Sequence, residues 1–181
     1  MESLHISLWV VTGLVVVALL FDFMNGFHDA ANAIATVVST GVLKPHQAVA
    51  WAAFFNFVAL FVFHLKVAST VGKGIVDPTA VDHYLVFGAL VGAIAWNVIT
   101  WYYGIPSSSS HALIGGLVGA AMAKAGTAPL VAAGIWKTVA FILVSPVVGY
   151  ILGSLMLVVV AWACRHKPQR RVDKWFRRLQ L

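Results

Sequence analysis

The sequence predicts an all-α integral membrane protein with about five membrane-crossing or re-entrant helical segments. Three observations support this fold class. Of the 181 residues, 61% are hydrophobic and only 10% are charged, and the apolar residues gather in long runs. A soluble domain of this length would carry far more charge on its surface. A helix needs roughly 20 apolar residues to cross a bilayer, and the runs are close to that length.

Four runs meet or approach the length of a span. In chain order they are Ile6 to Met24, Ala48 to Leu65, Tyr84 to Tyr103 and Leu130 to Cys164. The first run has neither the basic start nor the cleavage site of a signal peptide, so we expect it to be retained as a helix. The fourth run is longer than a span requires, which predicts a strong tilt or a bend at Pro146.

Two further pieces, Phe27 to Leu43 and Pro106 to Ala125, are too polar or too short to be ordinary spans. In the second piece, helix-compatible residues run only from His111 to Ala123, which corresponds to about 20 Å of helix. Irregular backbone at membrane depth is tolerated only inside protein or beside a water-filled cavity. Both pieces are therefore predicted to be broken or re-entrant helices.

The distribution of charge predicts the orientation of the chain. Seven of the twelve Lys and Arg residues lie between Arg165 and Arg178, directly after the last apolar run. Such clusters mark the cytoplasmic side or face anionic lipid heads, which makes nucleic acid an unsuitable partner. We therefore expect a transmembrane repeat at 1–164 and a basic cytoplasmic tail or linker at 165–181. Five crossings then place the amino terminus outside, if the serine-rich piece counts as one of them. If that piece is fully re-entrant, the region up to Leu43 must cross twice.

The first polar cluster lies between the apolar runs, at Asn25, His28, Asp29 and Asn32. A carboxylate at membrane depth is costly, so Asp29 must face protein or water and have a partner. Gly26 permits a helix break beside Asn25, and a break would free backbone carbonyls for a cation. On a helix, Asp29 and Asn32 share one face. We expect a cation site at His28, Asp29 and Asn32, with a helix cap at the membrane surface as the alternative.

The second polar cluster is a proline followed by four serines and His111. Pro106 ends the preceding helix, and the serines then cap a new one. The start of a helix presents unpaired N–H groups and a positive dipole end, to which hydroxyls add donors without charge. This pattern predicts an oxyanion site at Ser108, Ser109 and Ser110, with an ordinary interfacial cap as the alternative.

The two clusters complement each other chemically. An anion beside Asp29 would be repelled unless a cation or a proton lay between them. A transporter driven by a coupling ion supplies that cation, so the sequence favours secondary transport of an oxyanion. A single polar residue inside a span, such as Asn97, is expected to hydrogen-bond a neighbouring helix. One cysteine, Cys164, excludes an internal disulfide and any metal site built from cysteines.

The two motifs, GFHDAANAIATVVST and PSSSSHALIGG, resemble those of the inorganic phosphate transporter family of secondary transporters. The matching residues are Gly26, Asp29, Asn32 and Ala33 in the first motif, and Pro106, Ser108, Ser109, Ser110 and His111 in the second. His28 replaces a common asparagine, as in the bacterial low-affinity branch. The resemblance implies phosphate binding by the three serines and Asn32, in a multi-pass protein of the bacterial inner membrane.

The same branch resemblance implies proton-coupled symport of phosphate, free or as a neutral complex with a divalent metal. Sodium-coupled members usually carry the asparagine, whereas histidine as a residue type gains and loses a proton near neutral pH. Sodium stays the alternative coupling ion. No cofactor and no certain metal site in the protein are expected.

Full-length relatives are inverted repeats, and this chain holds one copy of each motif, so the resemblance covers a first half. It implies that the chain is a fragment, or that it assembles as an oligomer with a second repeat or another copy. Three rival functions remain: a sulfate or other oxyanion permease, a non-transporting assembly subunit, and an intramembrane serine hydrolase built from serine, His111 and Asp29. The hydrolase lacks a G-x-S-x-G elbow, so we do not expect an enzyme.

Overall fold

In the computed structural model the chain is a succession of helices, described over residues 7–62 and 74–180. The helices are α1 (Leu8–Ser39), α2 (Pro45–Val62), α3 (His83–Tyr102), α4 (Ser109–Ala125), α5 (Ala132–Cys164) and α6 (Gln169–Leu179), with a 3₁₀ turn at Pro78–Ala80. Three of them, α1, α3 and α5, are long and apolar enough to cross a membrane. The all-helical membrane class is therefore confirmed, while the expected number of about five segments is approximate.

Helix α1 corrects the prediction of a helix break at Asn25 and Gly26. It runs without interruption for 32 residues, about 48 Å at the usual helical rise. Glycine permits a break but does not compel one, because its cost inside a helix is only about 1 kcal/mol relative to alanine. The apolar stretches on both sides favour a continuous helix in a bilayer, where unsatisfied backbone groups are far more costly. No carbonyls are therefore freed at this point.

Helices α2, α3 and α5 follow the predicted runs closely, since each begins within three residues of the expected position. The expected end of the second run, Leu65, lies outside the described residues. Helix α5 continues through Pro146 for 33 residues. Pro106 lies in the non-helical connection between α3 and α4, as the sequence predicts.

The described residues form two compact units, and α1 contributes to both. The first unit comprises residues 7–31 and 74–135, and the second comprises 32–62 and 136–180. In the first unit, α3 and α4 form an antiparallel pair. Gly88 faces Ala120, and Gly92 faces Gly116, with an added Cβ lying 3.5 and 3.8 Å away respectively. Small residues at these crossings let the two backbones approach closely.

A second contact fixes the antiparallel pair at the end where α3 begins and α4 ends. The residues 75–77 pair with 129–131 through backbone hydrogen bonds from Asp77 to Pro129 (2.8 Å) and from Val131 to Ile75 (2.9 Å). The Lys124 ammonium lies 3.0 Å from the Asp82 carboxylate. This ion pair joins the last turn of α4 to the residue that caps the start of α3.

The Asp82 carboxylate gives this end of the unit a pH-dependent stability. The Leu85 N–H donates to it at 2.9 Å, and this bond, with the Lys124 ammonium, holds the pKa of Asp82 below its ordinary value. The stabilisation is complete above the unfolded pKa of about 3.9 and is lost as pH falls through the lower folded pKa. Thermal unfolding in detergent should therefore show a smaller loss of stability on acidification for Asp82→Asn than for the parent. Identical pH profiles would contradict this assignment.

The second unit carries the basic end of the chain. After α1, a turn with Gly41 at a φ of +68° leads into α2. The Thr40 hydroxyl in this turn donates to the Gln180 side chain at 2.7 Å, so the turn and the end of α6 lie together. Along α5, which is described in full, no residue is buried. A bilayer or a partner helix is the natural cover for so continuous an apolar surface.

Candidate functional site

Among the polar residues of the first motif on α1, His28 is the one whose side chain is largely buried in the first unit. The His28 side chain is 10% exposed, and the neighbouring Asp29 side chain is 50% exposed. The His28 Nδ1 atom is 3.7 Å from Asp29 Oδ1, and its Nε2 atom is 3.5 Å from Thr100 Oγ1 on α3. The imidazole therefore lies between a carboxylate and a buried hydroxyl. Asn32 is exposed on α1 and belongs to the second unit.

Hydrogen-bond donors are scarce around this imidazole. The single Thr100 hydroxyl proton has two carbonyl acceptors in its own helix, Trp96 at 2.9 Å and Asn97 at 3.2 Å. The contact with His28 is then best made by the Nε2–H group as donor. In a neutral ring this leaves Nδ1 as a bare acceptor facing the Asp29 carboxylate. Nδ1 is buried and has no hydrogen-bond partner among the described residues. A proton on Nδ1 or on Asp29 would turn two opposed acceptors into a donor–acceptor pair.

The serine-rich motif opens α4 as the sequence predicts. Ser108 is the N-cap, and its hydroxyl accepts the backbone N–H of His111 at 3.5 Å. The N–H groups of Ser109 and Ser110, in the first turn, have no acceptor within the helix. Ser107 accepts a hydrogen bond from the Trp96 indole at 3.1 Å, which ties the motif to α3. The start of α4 thus presents backbone donors beside hydroxyl groups.

Ser109 is the most buried of these serines. It is 3% exposed, and its hydroxyl has no hydrogen-bond partner in the described part of the chain. A buried polar group without a partner is costly, and a bound ligand or water is one way to satisfy it. Ser110, by contrast, is exposed. Burial therefore separates three serines that look equivalent in sequence.

Two buried residues of α3 add to this site. Asn97 and Thr100 are both fully buried, three residues apart on one helix face. The Asn97 amide has neither a donor nor an acceptor partner in the described ranges, so the expected bond to a neighbouring helix is not made there. Thr100 was missed by the sequence analysis, because a threonine in a span usually bonds its own helix. The sequence signal that could have found Thr100 is its position three residues after Asn97, which places both polar side chains on one helix face.

The first unit thus brings together His28, Asp29 and Thr100, and it places the three serines at the start of α4. No hydrogen bond joins these two groups among the described residues. Likewise, no group of three or more His, Cys, Asp or Glu side chains that could hold a metal gathers within 7–62 and 74–180. The arrangement sets two acceptors, His28 Nδ1 and Asp29 Oδ1, opposite each other, and it gathers neutral donors at the start of α4.

The phosphate transporter family model matches residues 25–179, a range that contains both motifs. The chain is 55% identical over 169 residues to a probable low-affinity inorganic phosphate transporter of Rhizobium meliloti, covering 93% of this chain and 51% of that protein. A probable low-affinity inorganic phosphate transporter of Bacillus subtilis is 48% identical, with 93% and 51% covered. The chain thus spans about half the length of these relatives.

Two other similarities agree with these. A probable low-affinity inorganic phosphate transporter of Streptomyces halstedii is 49% identical over 96% of this chain and 82% of that protein. The fold also matches a solved structure described as the sodium-dependent phosphate transporter, with a TM-score of 0.76 and 27% identity. That match covers 89% of this chain and 42% of the other. The resemblance predicted from the two motifs is confirmed.

Proposed function

Because this chain belongs to the phosphate transporter family, we propose that it forms one half of a secondary transporter that carries inorganic phosphate across a membrane. The observation that carries the proposal is the start of α4, where the buried Ser109 hydroxyl has no hydrogen-bond partner among the described residues and lies beside backbone N–H groups that have no acceptor within the helix. A helix N-terminus of this kind suits a tetrahedral oxyanion.

The three serines provide neutral donors for the phosphate. Ser109 contributes a buried hydroxyl, while Ser108 and Ser110 flank it in the same turn. Together with the positive end of the helix dipole, these donors stabilise an anion without a fixed positive charge. Asn32 is proposed as a further phosphate ligand from its place in the first motif.

The His28–Asp29 pair is proposed as the site of a coupling proton. Its two opposed acceptors gain a hydrogen bond when one proton is taken up. A sodium site would need several oxygen ligands. Because α1 is continuous at Asn25 and Gly26, it supplies no freed carbonyls for one. The solved relative is described as sodium-dependent, so sodium is the alternative coupling ion.

The other half of the transporter is proposed to come from a second repeat or from another copy of this chain. The relatives from Rhizobium meliloti and Bacillus subtilis are about twice as long as the region that they share with this chain. In the assembled protein, phosphate would travel free or as a neutral complex with a divalent metal, which is then part of the cargo. The basic tail is proposed to lie in the cytoplasm and the amino terminus outside, in a multi-pass inner-membrane protein.

The geometry favours binding over hydrolysis at the serine motif. Ser108 uses its hydroxyl to cap the backbone of His111, so this serine acts as a helix cap. Sulfate has the same shape as phosphate, and the serine hydroxyls alone do not separate them. Phosphate is the proposed cargo because the relatives carry that name. A purely assembly role would give no reason for an acid at this depth of an apolar helix.

The proposal predicts that Ser109→Ala weakens phosphate transport. Uptake of radiolabelled phosphate would be measured in proteoliposomes that contain the chain together with a complementary carboxyl-terminal half from a relative. Losing one buried hydrogen bond to an anion costs about 1.5–3 kcal/mol, so uptake at low phosphate should fall roughly 10-fold or more. Ser107→Ala, whose hydroxyl already accepts from Trp96, is the matched control and should change uptake little.

Three results would contradict the proposal. Equal uptake by the parent and by Ser109→Ala would remove the serine from the site. Preferential competition by sulfate would make the protein a sulfate permease. Failure of the reconstituted halves to move either anion above the level of empty liposomes would favour the assembly role.

A further inference from the structure

Helix α6 has all its apolar residues on one side. They are Val172, Trp175, Phe176 and Leu179, spaced i, i+3, i+4 and i+7, and they fall within an arc of about 100° on a regular helix. The face is open in the structure: Trp175 is 50% exposed and Leu179 is 79% exposed. Because the other residues of α6 are polar, this stripe is the part of the helix whose exposure to water is unfavourable.

The other face of α6 is strongly basic. It presents Arg170, Arg171, Lys174, Arg177 and Arg178 against a single acid, Asp173. Asp173 is already engaged by Arg177, whose Nε atom lies 3.1 Å from its carboxylate. Four cationic side chains thus remain without a carboxylate partner on this helix, among the described residues. An anionic surface is their natural counterpart.

The position of α6 in the chain brings it to a membrane surface. It begins five residues after Cys164, the last residue of α5, which is apolar enough to span. At that end of α5 the Arg165 guanidinium lies 4.8 Å from the centre of the Trp162 ring, a pairing typical of the membrane interface. The hydrogen bond from Thr40 to Gln180 ties the far end of α6 to the α1–α2 turn. Both ends of α6 are thus held to the ends of apolar helices.

We propose that α6 is an anionic-lipid site that lies in the plane of the bilayer surface. Its apolar stripe inserts among the acyl chains, and its arginine and lysine side chains bind the phosphate groups of acidic phospholipids. A helix with a strong apolar face and a basic opposite face binds membranes in this way. Nucleic acid would satisfy the charges but leave the apolar stripe uncovered. A second copy of α6 would cover the stripe but set two basic helices side by side.

The site can be tested on the full chain in lipid nanodiscs. The background variant is Cys164→Ser, into which a single nitroxide-labelled cysteine is placed by Leu179→Cys on the apolar face or Asp173→Cys on the polar face. Collisions of the label with oxygen and with a water-soluble nickel chelate report its depth. The discs contain phosphatidylcholine, either alone or with phosphatidylglycerol added.

We expect the label at position 179 to be buried among acyl chains in the anionic discs, and the label at position 173 to stay in water. Replacing Arg170, Arg171, Lys174 and Arg178 by glutamine should lower the bound-to-free ratio of α6 at least about 10-fold, because each basic residue contributes separately. The charge-conserving set, Arg→Lys at the three arginines with Lys174→Arg, should retain binding. Higher ionic strength should weaken it.

Three outcomes would overturn the proposal. One is a label at 179 that stays accessible to the chelate in anionic discs. Another is equal burial in neutral and anionic discs, or in the glutamine set, which would remove the role of charge. A third is strong dipolar coupling between labels on two chains, which would assign the stripe to a second copy.

Discussion

Asp29→Asn should reduce proton-driven phosphate uptake to the level of empty liposomes. Asparagine has nearly the same shape as aspartate but cannot take up a proton. The variant would lose the carboxylate that faces His28 Nδ1 at 3.7 Å and that is proposed to take up the coupling proton. Uptake would be measured in the reconstituted halves with an imposed pH gradient, and the variant's thermal stability would be followed in parallel.

Asp22→Asn is the matched control for this prediction. Asp22 lies two turns earlier on the same helix, is exposed, and has no hydrogen bond or ion pair among the described residues. Its replacement should leave uptake largely intact. If Asp29→Asn folds normally and keeps proton-driven uptake, the assignment of a coupling role to Asp29 is wrong.

Gly116→Ala should break the packing of α3 against α4. An added Cβ at position 116 would collide with the carbonyl oxygen of Ala89 and lie 3.1 Å from its carbonyl carbon. Both are backbone atoms, so α3 itself would have to move. Overpacking of this kind costs about 1–3 kcal/mol, and a lower melting temperature in detergent is the expected result.

Gly115→Ala and Gly119→Ala are matched controls on the same helix. An added Cβ at either position has no neighbouring atom within 4 Å. Alanine is also the better helix former, so these variants should be unchanged or slightly more stable. Equal destabilisation by all three substitutions would show that helix α4 does not meet α3 as described.

The apolar runs were enough to predict most of the fold. Tyr84 to Tyr103 was expected as a span, and α3 occupies His83–Tyr102. Helix length in a bilayer is set by hydropathy, which is visible in a single sequence. The start of α4 after Pro106 was also predictable, because proline and serine act through local backbone chemistry.

The site depended on contacts that no local pattern reveals. Thr100 meets His28 across 72 residues of sequence, and only the packing of α1 on α3 brings them together. The predicted helix break at Gly26 was wrong. Glycine permits a break without requiring one, and the adjacent apolar segments stabilise a continuous α1. The burial of Ser109, in contrast to exposed Ser110, likewise follows from the helix pair and not from residue type.

Phosphate-dependent proton entry is the decisive measurement for a coupling role of the His28–Asp29 pair. Proteoliposomes holding this chain and a complementary half would enclose a pH-sensitive dye, in sodium-free buffer, and phosphate would be added outside. We expect the interior to acidify with phosphate uptake in the parent protein, and Asp29→Asn to show neither signal. Phosphate uptake that requires sodium and leaves the internal pH unchanged would contradict it.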